Sequence, residues 1–368
     1  MRVALVVTGG VDRSGRERVI PALLSFIERQ ARRHEVVVYV LRYHDRACTY
    51  PLLGATVHDL GRPQGLRRQY GALVRSLRRD GPFDVIHAYW ALPGGLTAAL
   101  AGRRLGIPCV VTFDSGEFIS DPEIDYGLQR RRRHRLAVGA TLRLASRITV
   151  CTEHMHRLAR AHGVKPAIIP IGVDTTTFTP AKHAPGPPWR LLHAASLNRV
   201  KDQPTLLQAF RDVLDRVPDV HLDIAGEDTL GGAIQELARR LGVDRHITFH
   251  GVQPTEALVR MYQRAHVFVL SSRHEAGGVV VLEAAACGVP TVGTAVGHLA
   301  DWTPDRAITV PPRDPRALGE AIVGALSTPA RLVEIAEAAR AWTLAHDADW
   351  TAEQFDRLYR DLERRAGV

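Results

Sequence analysis

Twice along this chain, short runs of apolar and β-branched residues alternate with stretches whose hydrophobic residues recur every three or four positions. That alternation leaves few folds open. The first series of strand candidates reads 2–7 (RVALVV), 35–41 (EVVVYVL), 84–88 (DVIHA), 108–113 (PCVVTF), 147–151 (RITVC) and 167–170 (AIIP). The second reads 190–194 (RLLHA), 220–225 (VHLDIA), 247–249 (ITF), 266–270 (HVFVL), 290–293 (PTVG) and 307–310 (AITV). Helix candidates connect them. Over 66–79 (LRRQYGALVRSLRR), Leu66, Tyr70, Leu73, Val74 and Leu77 share one face. Residues 204–217, 231–241, 255–264, 279–287 and 315–326 read similarly. Strands that are apolar throughout and joined by helices build parallel sheets covered on both sides.

The expected fold class is therefore α/β, with two doubly wound Rossmann-like domains facing each other across a deep cleft. The stretch PAKHAPGPPW at 180–189 is rich in proline and glycine and reads as a linker. It divides the chain into an N-terminal domain over 1–180 and a C-terminal domain over 181–348. A last helix at about 349–364 places 349–368 as a segment that packs back on the first domain. In open parallel sheets ligands bind beyond the carboxyl ends of the strands, so chemistry is sought in the loops that follow them.

Charge narrows the partners. The formal net charge is +9 and is almost all arginine, since only Lys165, Lys182 and Lys201 are lysines. Such a surface favours anionic partners. No zinc finger, aromatic RNA-binding signature or helix-turn-helix is present, so nucleic acid is not an expected partner. Cys48, Cys109, Cys151 and Cys287 lie far apart, which argues against zinc or a disulfide framework. The opening MRVALVV lacks the length and cleavage site of a signal peptide, and no run approaches the roughly 20 apolar residues of a membrane span. The expectation is a soluble, cytoplasmic protein. Peripheral contact with an anionic membrane is a further option, carried by the arginine-rich helices at 66–79 and 128–136.

Three loops could carry chemistry. In HEAGGVVVLEAAACGVPTVGT (274–294), Glu275 and Glu283 flank Gly277, Gly278 and the apolar start of a helix at Val279. A helix entry offers free backbone N–H groups to an anion, and glycines let a phosphate or sugar come close. Carboxylates accept hydrogen bonds from sugar hydroxyls. An ordinary helix-start acid with an exposed mid-helix acid is the bland alternative. In HAASLNRVKDQPTLLQAF, Lys201 follows a strand and precedes a helix; its ammonium is a compact donor for a phosphate oxygen, and Arg199 could assist. An exposed loop cation is the plain alternative. In TGGVDRSGRERV (8–19), Gly9, Gly10 and Gly15 join the first strand to the first helix, but the pattern is not GxGxxG and no acid follows the next strand suitably, which disfavours a dehydrogenase.

Other features read as bland. Asp347-Ala-Asp349 precedes a helix and lacks a strand, so acids at a helix start account for it. His154 and His156 lack a third ligand nearby. The run Arg130–Arg133 is a solvated helix face, or a contact with an anionic membrane or charged acceptor.

Taken together, these motifs resemble the retaining, nucleotide-sugar-dependent glycosyltransferases of family 4, with the twin-Rossmann B fold. The resemblance covers nearly the whole chain. It rests on the E-x7-E block from Glu275 to Glu283 with EAAACGVPTVGTAVG, on IIPIGVDTTTF (168–178), SLNRVKDQPTLLQAF (196–210), LDIAGED (222–228) and ITFHGVQP (247–254), and on SGRERVIPAL and FDVIHAYWALPGG in the first half. It implies that Lys201 binds the donor diphosphate, Glu283 the ribose hydroxyls, and Glu275 the donor sugar and the transition state. Gly277, Gly278 and Val279 would line the sugar–diphosphate site, Gly251 and Val252 would neighbour the base, and Gly15 would meet the phosphates from the other domain. It also implies no metal and no cofactor, with a nucleotide diphosphate sugar as co-substrate and a glycan, lipid or small molecule as acceptor.

Three positions depart from the family pattern. Ser196, preceded by Ala195, stands where an arginine is usual, with Arg199 a potential substitute. The family's Glu-Gly-Phe-Gly reads Glu275-Ala276-Gly277-Gly278 here. Asp114, in TFDSGEF, stands where a histidine is common, and it or Glu117 could act on the acceptor side. A nucleotide-sugar epimerase or phosphorylase of the same fold, or a non-catalytic nucleotide-sugar-binding protein, are the competing readings.

Overall fold

The structure is a computed structural model that describes residues 1–182 and 185–366; His183 and Ala184 of the expected linker, and Gly367 and Val368 of the expected closing segment, lie outside the described residues. The chain forms two compact units. The first runs from Met1 to Ile171 and takes in the last helix; the second runs from Gly172 to Asp347.

The first unit contains β1 (Arg2–Val7), α1 (Pro21–Ala31), β2 (Glu35–Val40), β3 (Cys48–Leu52), β4 (Ala55–Asp59), α2 (Leu66–Asp80), β5 (Val85–Tyr89), α3 (Leu96–Leu105), β6 (Cys109–Phe113), α4 (Arg132–Leu144), β7 (Arg147–Val150), α5 (Glu153–Ala161) and β8 (Ala167–Ile168). Its sheet has the order β3-β4-β2-β1-β5-β6-β7-β8. Every pairing is parallel except β3 with β4. Val3 to Val7 are fully buried, as a strand covered on both faces must be. The β3–β4 hairpin is absent from the strands read in the sequence. Pro51 and the exposed Thr49 interrupt its apolar pattern, which an edge strand tolerates.

The second unit contains β9 (Trp189–Ala194), α6 (Gln203–Arg216), β10 (Val220–Ala225), α7 (Ala233–Leu241), β11 (Ile247–Gly251), α8 (Thr255–Tyr262), β12 (Val267–Leu270), α9 (Val279–Ala286), β13 (Thr291–Thr294), α10 (Gly297–Trp302), β14 (Ile308–Val310), α11 (Pro315–Ser327) and α12 (Pro329–Ala345). Its strands are all parallel, in the order β11-β10-β9-β12-β13-β14. One core cluster gathers Leu206, Phe210, Leu222 and Leu318. The other gathers Phe178, Tyr262, Phe268, Leu282 and Trp302. Both units are thus doubly wound α/β layers.

The boundary between units falls at Ile171/Gly172, not at position 180. Val173 and Phe178 are buried in the second unit's core, so burial draws the chain into that unit before the proline-rich stretch begins. The second boundary falls at Asp347/Ala348. From there α13 (Ala348–Ala366) belongs to the first unit. Its fully buried Phe355 and Tyr359 explain the attachment. Phe355 meets Phe26 of α1 at 5.1 Å between ring centroids, and the Tyr359 hydroxyl lies 2.5 Å from His87 Nδ1. Gln30 donates to the Ala352 carbonyl. In α2, Leu73, Val74 and Leu77 are buried as the periodicity predicts, whereas Leu66 is exposed in the first turn. Among the described residues, no helix is long and apolar enough to cross a membrane.

Candidate active site

The second unit's sheet reverses its winding between β9 and β12. From β9 the chain proceeds to β10 on one side, and from β12 to β13 on the other. Connections leaving adjacent strands in opposite directions open a crevice at their carboxyl ends, the usual ligand position in such sheets. Lys201 lies in the loop after β9, and Glu275 in the loop after β12. They meet: Lys201 Nζ donates to Glu275 Oε1 at 2.5 Å. The same oxygen accepts from Ser272 Oγ at 2.6 Å. Two further bonds tie the loops together. Ser271 Oγ donates to the Lys201 carbonyl, and the Arg273 amide donates to the Val200 carbonyl. Asn198 Oδ1 accepts from the Val200 and Lys201 amides and turns the chain toward α6.

Beneath the loops lies His193, fully buried at the centre of β9. Its Nδ1 donates to the Val269 carbonyl of β12, and its Nε2 accepts from Gln203. Burial pushes this imidazole down to about 4, so it is neutral at pH 7. Gln203 also donates to the Ser196 carbonyl, which fixes the start of the Lys201 loop.

α9 starts at Val279 after Gly278, whose φ of 80° belongs to the left-handed region that glycine favours. The amides of Val279 and Val280, in the first helical turn, have no intrahelical acceptor. Gly277 and Glu275 are held from the far side by α10. The His298 amide donates to the Gly277 carbonyl. A Cβ on Gly297 would lie 2.5 Å from that carbonyl oxygen and 3.0 Å from Glu275 Cβ. Glu283 is one turn into α9 and buried. Its Oε2 accepts from the Tyr262 hydroxyl at 2.9 Å. Burial pushes the Glu283 carboxyl up to about 7, against the lowering effect of that bond.

The remaining expected residues lie as follows. Ser196 is half-buried beside Gly226, where a Cβ would overlap the Ala195 carbonyl. Arg199 is exposed and makes no ion pair among the described residues. Gly251 ends β11 and accepts from the Gly226 amide; the adjoining Val252 is 72% exposed. In the first unit, Gly15 sits in the loop after β1 with φ 63°, its amide donating to the Asp12 carbonyl. Asp114 follows β6 and accepts from the Cys151 thiol at 3.2 Å. Glu117 is sealed in: its carboxylate accepts from the Ser115 and Ala91 amides, and burial pushes it up to about 7. It holds a turn in place.

A cavity of about 280 Å³ is lined by Ser115, which follows Asp114 in the chain, and by Tyr126, Arg130, Arg131 and His134, among others. Arg130 is paired with Asp125. His156 donates to the Pro166 carbonyl. Asp349 pairs with Arg29, and Thr175 donates to Asp347. Among the described residues no cluster of three His, Cys, Asp or Glu side chains could hold a metal ion.

Sequence reasoning singled out both carboxylates, the lysine and the glycine pair, of which Lys201 and Glu275 meet in the structure. It missed Ser272, Tyr262, His193, Gln203, Gly297 and His298, which hold them. A histidine inside the apolar run RLLHA was the one local signal for this layer.

Two doubly wound units, with Lys201 and Glu275 in contact at the switch point of the second, define an α/β protein of the two-Rossmann type. Residues 174–342 match the family model described as glycosyl transferases group 1, and residues 19–172 that of the glycosyl transferase 4-like domain. A D-inositol 3-phosphate glycosyltransferase from Corynebacterium urealyticum is 32% identical over 337 residues, 85% of this chain and 79% of that protein. Sucrose-phosphate synthase from Thermosynechococcus elongatus aligns with a TM-score of 0.82 at 20% identity, covering 98% of this chain and 99% of that one. Anabaena Alr3699/HepE in complex with UDP-glucose aligns with a TM-score of 0.76 at 17% identity, covering 98% and 100%. The chain belongs to this family: it is a family-4-type glycosyltransferase of the B fold.

Proposed function

We propose that this glycosyltransferase moves a sugar from a nucleotide diphosphate sugar to an acceptor hydroxyl with retention of configuration, and without a metal. The observation that carries the reading is the contact between Lys201 and Glu275 at the switch point, in the loop that leads into α9 and Glu283. A diphosphate at the entry of α9 would meet the Val279 and Val280 amides and the Lys201 ammonium, which together would stabilise the leaving charge. Glu283 would accept from the ribose hydroxyls. Glu275, freed from Lys201 when the ammonium turns to phosphate, would face the donor sugar and favour positive charge developing at its anomeric carbon. In a front-side substitution the acceptor oxygen bonds to that carbon as the bond to the diphosphate breaks, and its proton passes to the leaving oxygen.

In the first unit, the cavity lined by Ser115 and Tyr126 presents Arg131 and His134, while Arg130 is already paired. These groups favour an acceptor that carries a phosphate, in keeping with relatives named for D-inositol 3-phosphate. The protein would work in the cytoplasm, with α2 and α4 as its contact with an anionic membrane.

The test is a binding screen of UDP-, GDP- and ADP-sugars, followed by transfer assays with phosphorylated and dephosphorylated polyols and an NMR readout of the anomer formed. Glu283→Ala and Lys201→Ala are expected to weaken donor binding about 10–100-fold, the range for a lost charge-assisted bond. Glu275→Ala is expected mainly to lower kcat. Full activity in all three variants overturns the site, an inverted product overturns retention, and loss of activity in chelator overturns metal independence.

A further inference from the structure

Glu283 carries an asymmetry that the donor reading leaves unused. Its Oε2 accepts from the Tyr262 hydroxyl at 2.9 Å, and among the described residues Oε1 accepts from no side chain. Tyr262 ends α8, and its ring is fully buried at 6.1 Å from Phe178 and 5.6 Å from Phe268, centroid to centroid. The hydroxyl has little freedom to leave. Among the described residues, besides Glu283 it has only the Val280 carbonyl within reach, at 3.2 Å.

We propose that Tyr262 is a positioning residue for the nucleotide: it occupies Glu283 Oε2, fixes the carboxylate's rotation, and leaves Oε1 to accept from the ribose hydroxyls. The proposal rests on Glu283 being the ribose partner. It assigns the specificity for a ribose diol to a hydroxyl one helix away from the E-x7-E block.

A second consequence is electrostatic. Glu283 must be ionised to accept from a hydroxyl without also presenting a donor. Few charges help it. Just past the end of its own helix the neighbouring titratable group is Cys287, whose thiol burial raises to about 12. β12 (VFVL) and β13 (TVGT) contain no charged residue. Glu256 and Arg260 of α8 are exposed. From α12, Arg340 donates to the Ala286 carbonyl. The Tyr262 hydrogen bond is therefore the main local support for the anion, and its loss would raise the carboxyl further.

The experiment is a titration of UDP, GDP and ADP against the full-length protein by calorimetry from pH 6 to 9, using the tightest binder for comparison of variants. In the parent protein, affinity is expected to fall as the pH drops through about 7. Tyr262→Phe keeps the ring and is expected to shift that fall upward by about one pH unit. It would bind about fivefold to tenfold more weakly at pH 7 and narrow to about twofold to threefold above pH 8.5, where only the lost positioning acts. KM for the donor should rise at pH 7 with kcat unchanged at saturation. Glu283→Gln is expected to bind weakly at every pH.

Unchanged affinity of Tyr262→Phe at all pH values overturns the proposal, as does a uniform loss in which kcat falls with no pH dependence. Should Tyr262→Phe fail to fold, a flat pH profile in the parent protein serves the same purpose. If Glu283→Gln binds normally, the donor reading itself fails; if it binds weakly while Tyr262→Phe is silent, only the role of Tyr262 does.

Discussion

At Lys201 the structure shows an ammonium held in place by a carboxylate. Its side chain is 23% exposed and that of Glu275 10%, so the pair is partly desolvated and matters more than a surface ion pair. Glu275 Oε1 takes bonds from both Lys201 and Ser272, and Lys201→Ala leaves the nearly buried carboxylate with Ser272 alone. The variant is expected to lose about 1–2 kcal/mol of stability at pH 7 in urea unfolding, discounted for the lysine's exposure. Glu275→Gln in the same background should recover part of that loss, because no buried charge then remains unpaired. An additive double mutant would show that the two side chains are not coupled.

Two kinds of element matter here. α9 is eight residues long and buried on nearly every side, so its position comes from packing between α12 and the sheet. α10 presses Gly297 against Gly277 and so fixes the Glu275 loop. α2 and α4, by contrast, flank α3 and present charge outward: Arg67, Arg68, Arg75, Arg78 and Arg79 on one, Arg132, Arg133 and Arg135 on the other, all exposed. Leu136 is 76% exposed amid the second set. An apolar tip within a cationic face suits an anionic bilayer. The protein is expected to co-sediment with phosphatidylglycerol vesicles at low salt and to be released as salt rises. Replacing Arg132, Arg133 and Arg135 with Gln should weaken this severalfold, and unchanged sedimentation would remove the membrane from the account.

For the molecule as a whole, buried titratable groups set opposing dependences on pH. His87, His193 and His298 are held at about 3, 4 and 3 by burial. Folded, they resist protonation, so the stability they permit is complete above 6.5 and is lost as pH falls toward those values. Glu117 and Glu283 sit at about 7, above the usual 4.5. They bind protons more tightly when folded, so their contribution is present below 4.5 and lost as pH rises through 7. Between 4.5 and 6.5 the two sets oppose each other; below 4.5 the histidines act without that opposition. Acid unfolding, followed by circular dichroism, is therefore expected to steepen below about pH 4.5. Glu283→Gln should match the parent at pH 5 and exceed it by about 1–2 kcal/mol at pH 8, where the parent carries a buried carboxylate. A variant more stable at pH 8 yet poorer at binding nucleotide would mark this carboxylate as kept for function.

The sequence by itself determined the two α/β series, nearly every central strand, and the identity of the residues after the strands. Those are local properties: an apolar run, a helical period, a glycine pair before a helix. It misplaced the unit boundary because Pro and Gly at 180–189 are visible locally, whereas the burial of Val173 and Phe178 depends on residues far along the chain. It passed over the β3–β4 hairpin because edge strands need no continuous apolar run. Only the tertiary structure decided that Lys201 and Glu275, 74 positions apart, share a hydrogen bond, that Tyr262 claims one oxygen of Glu283, and that Glu117 is already spent on backbone amides. Parallel strands order themselves by crossover, so neighbours at the switch point are distant in sequence, and no local pattern records which side chains meet there.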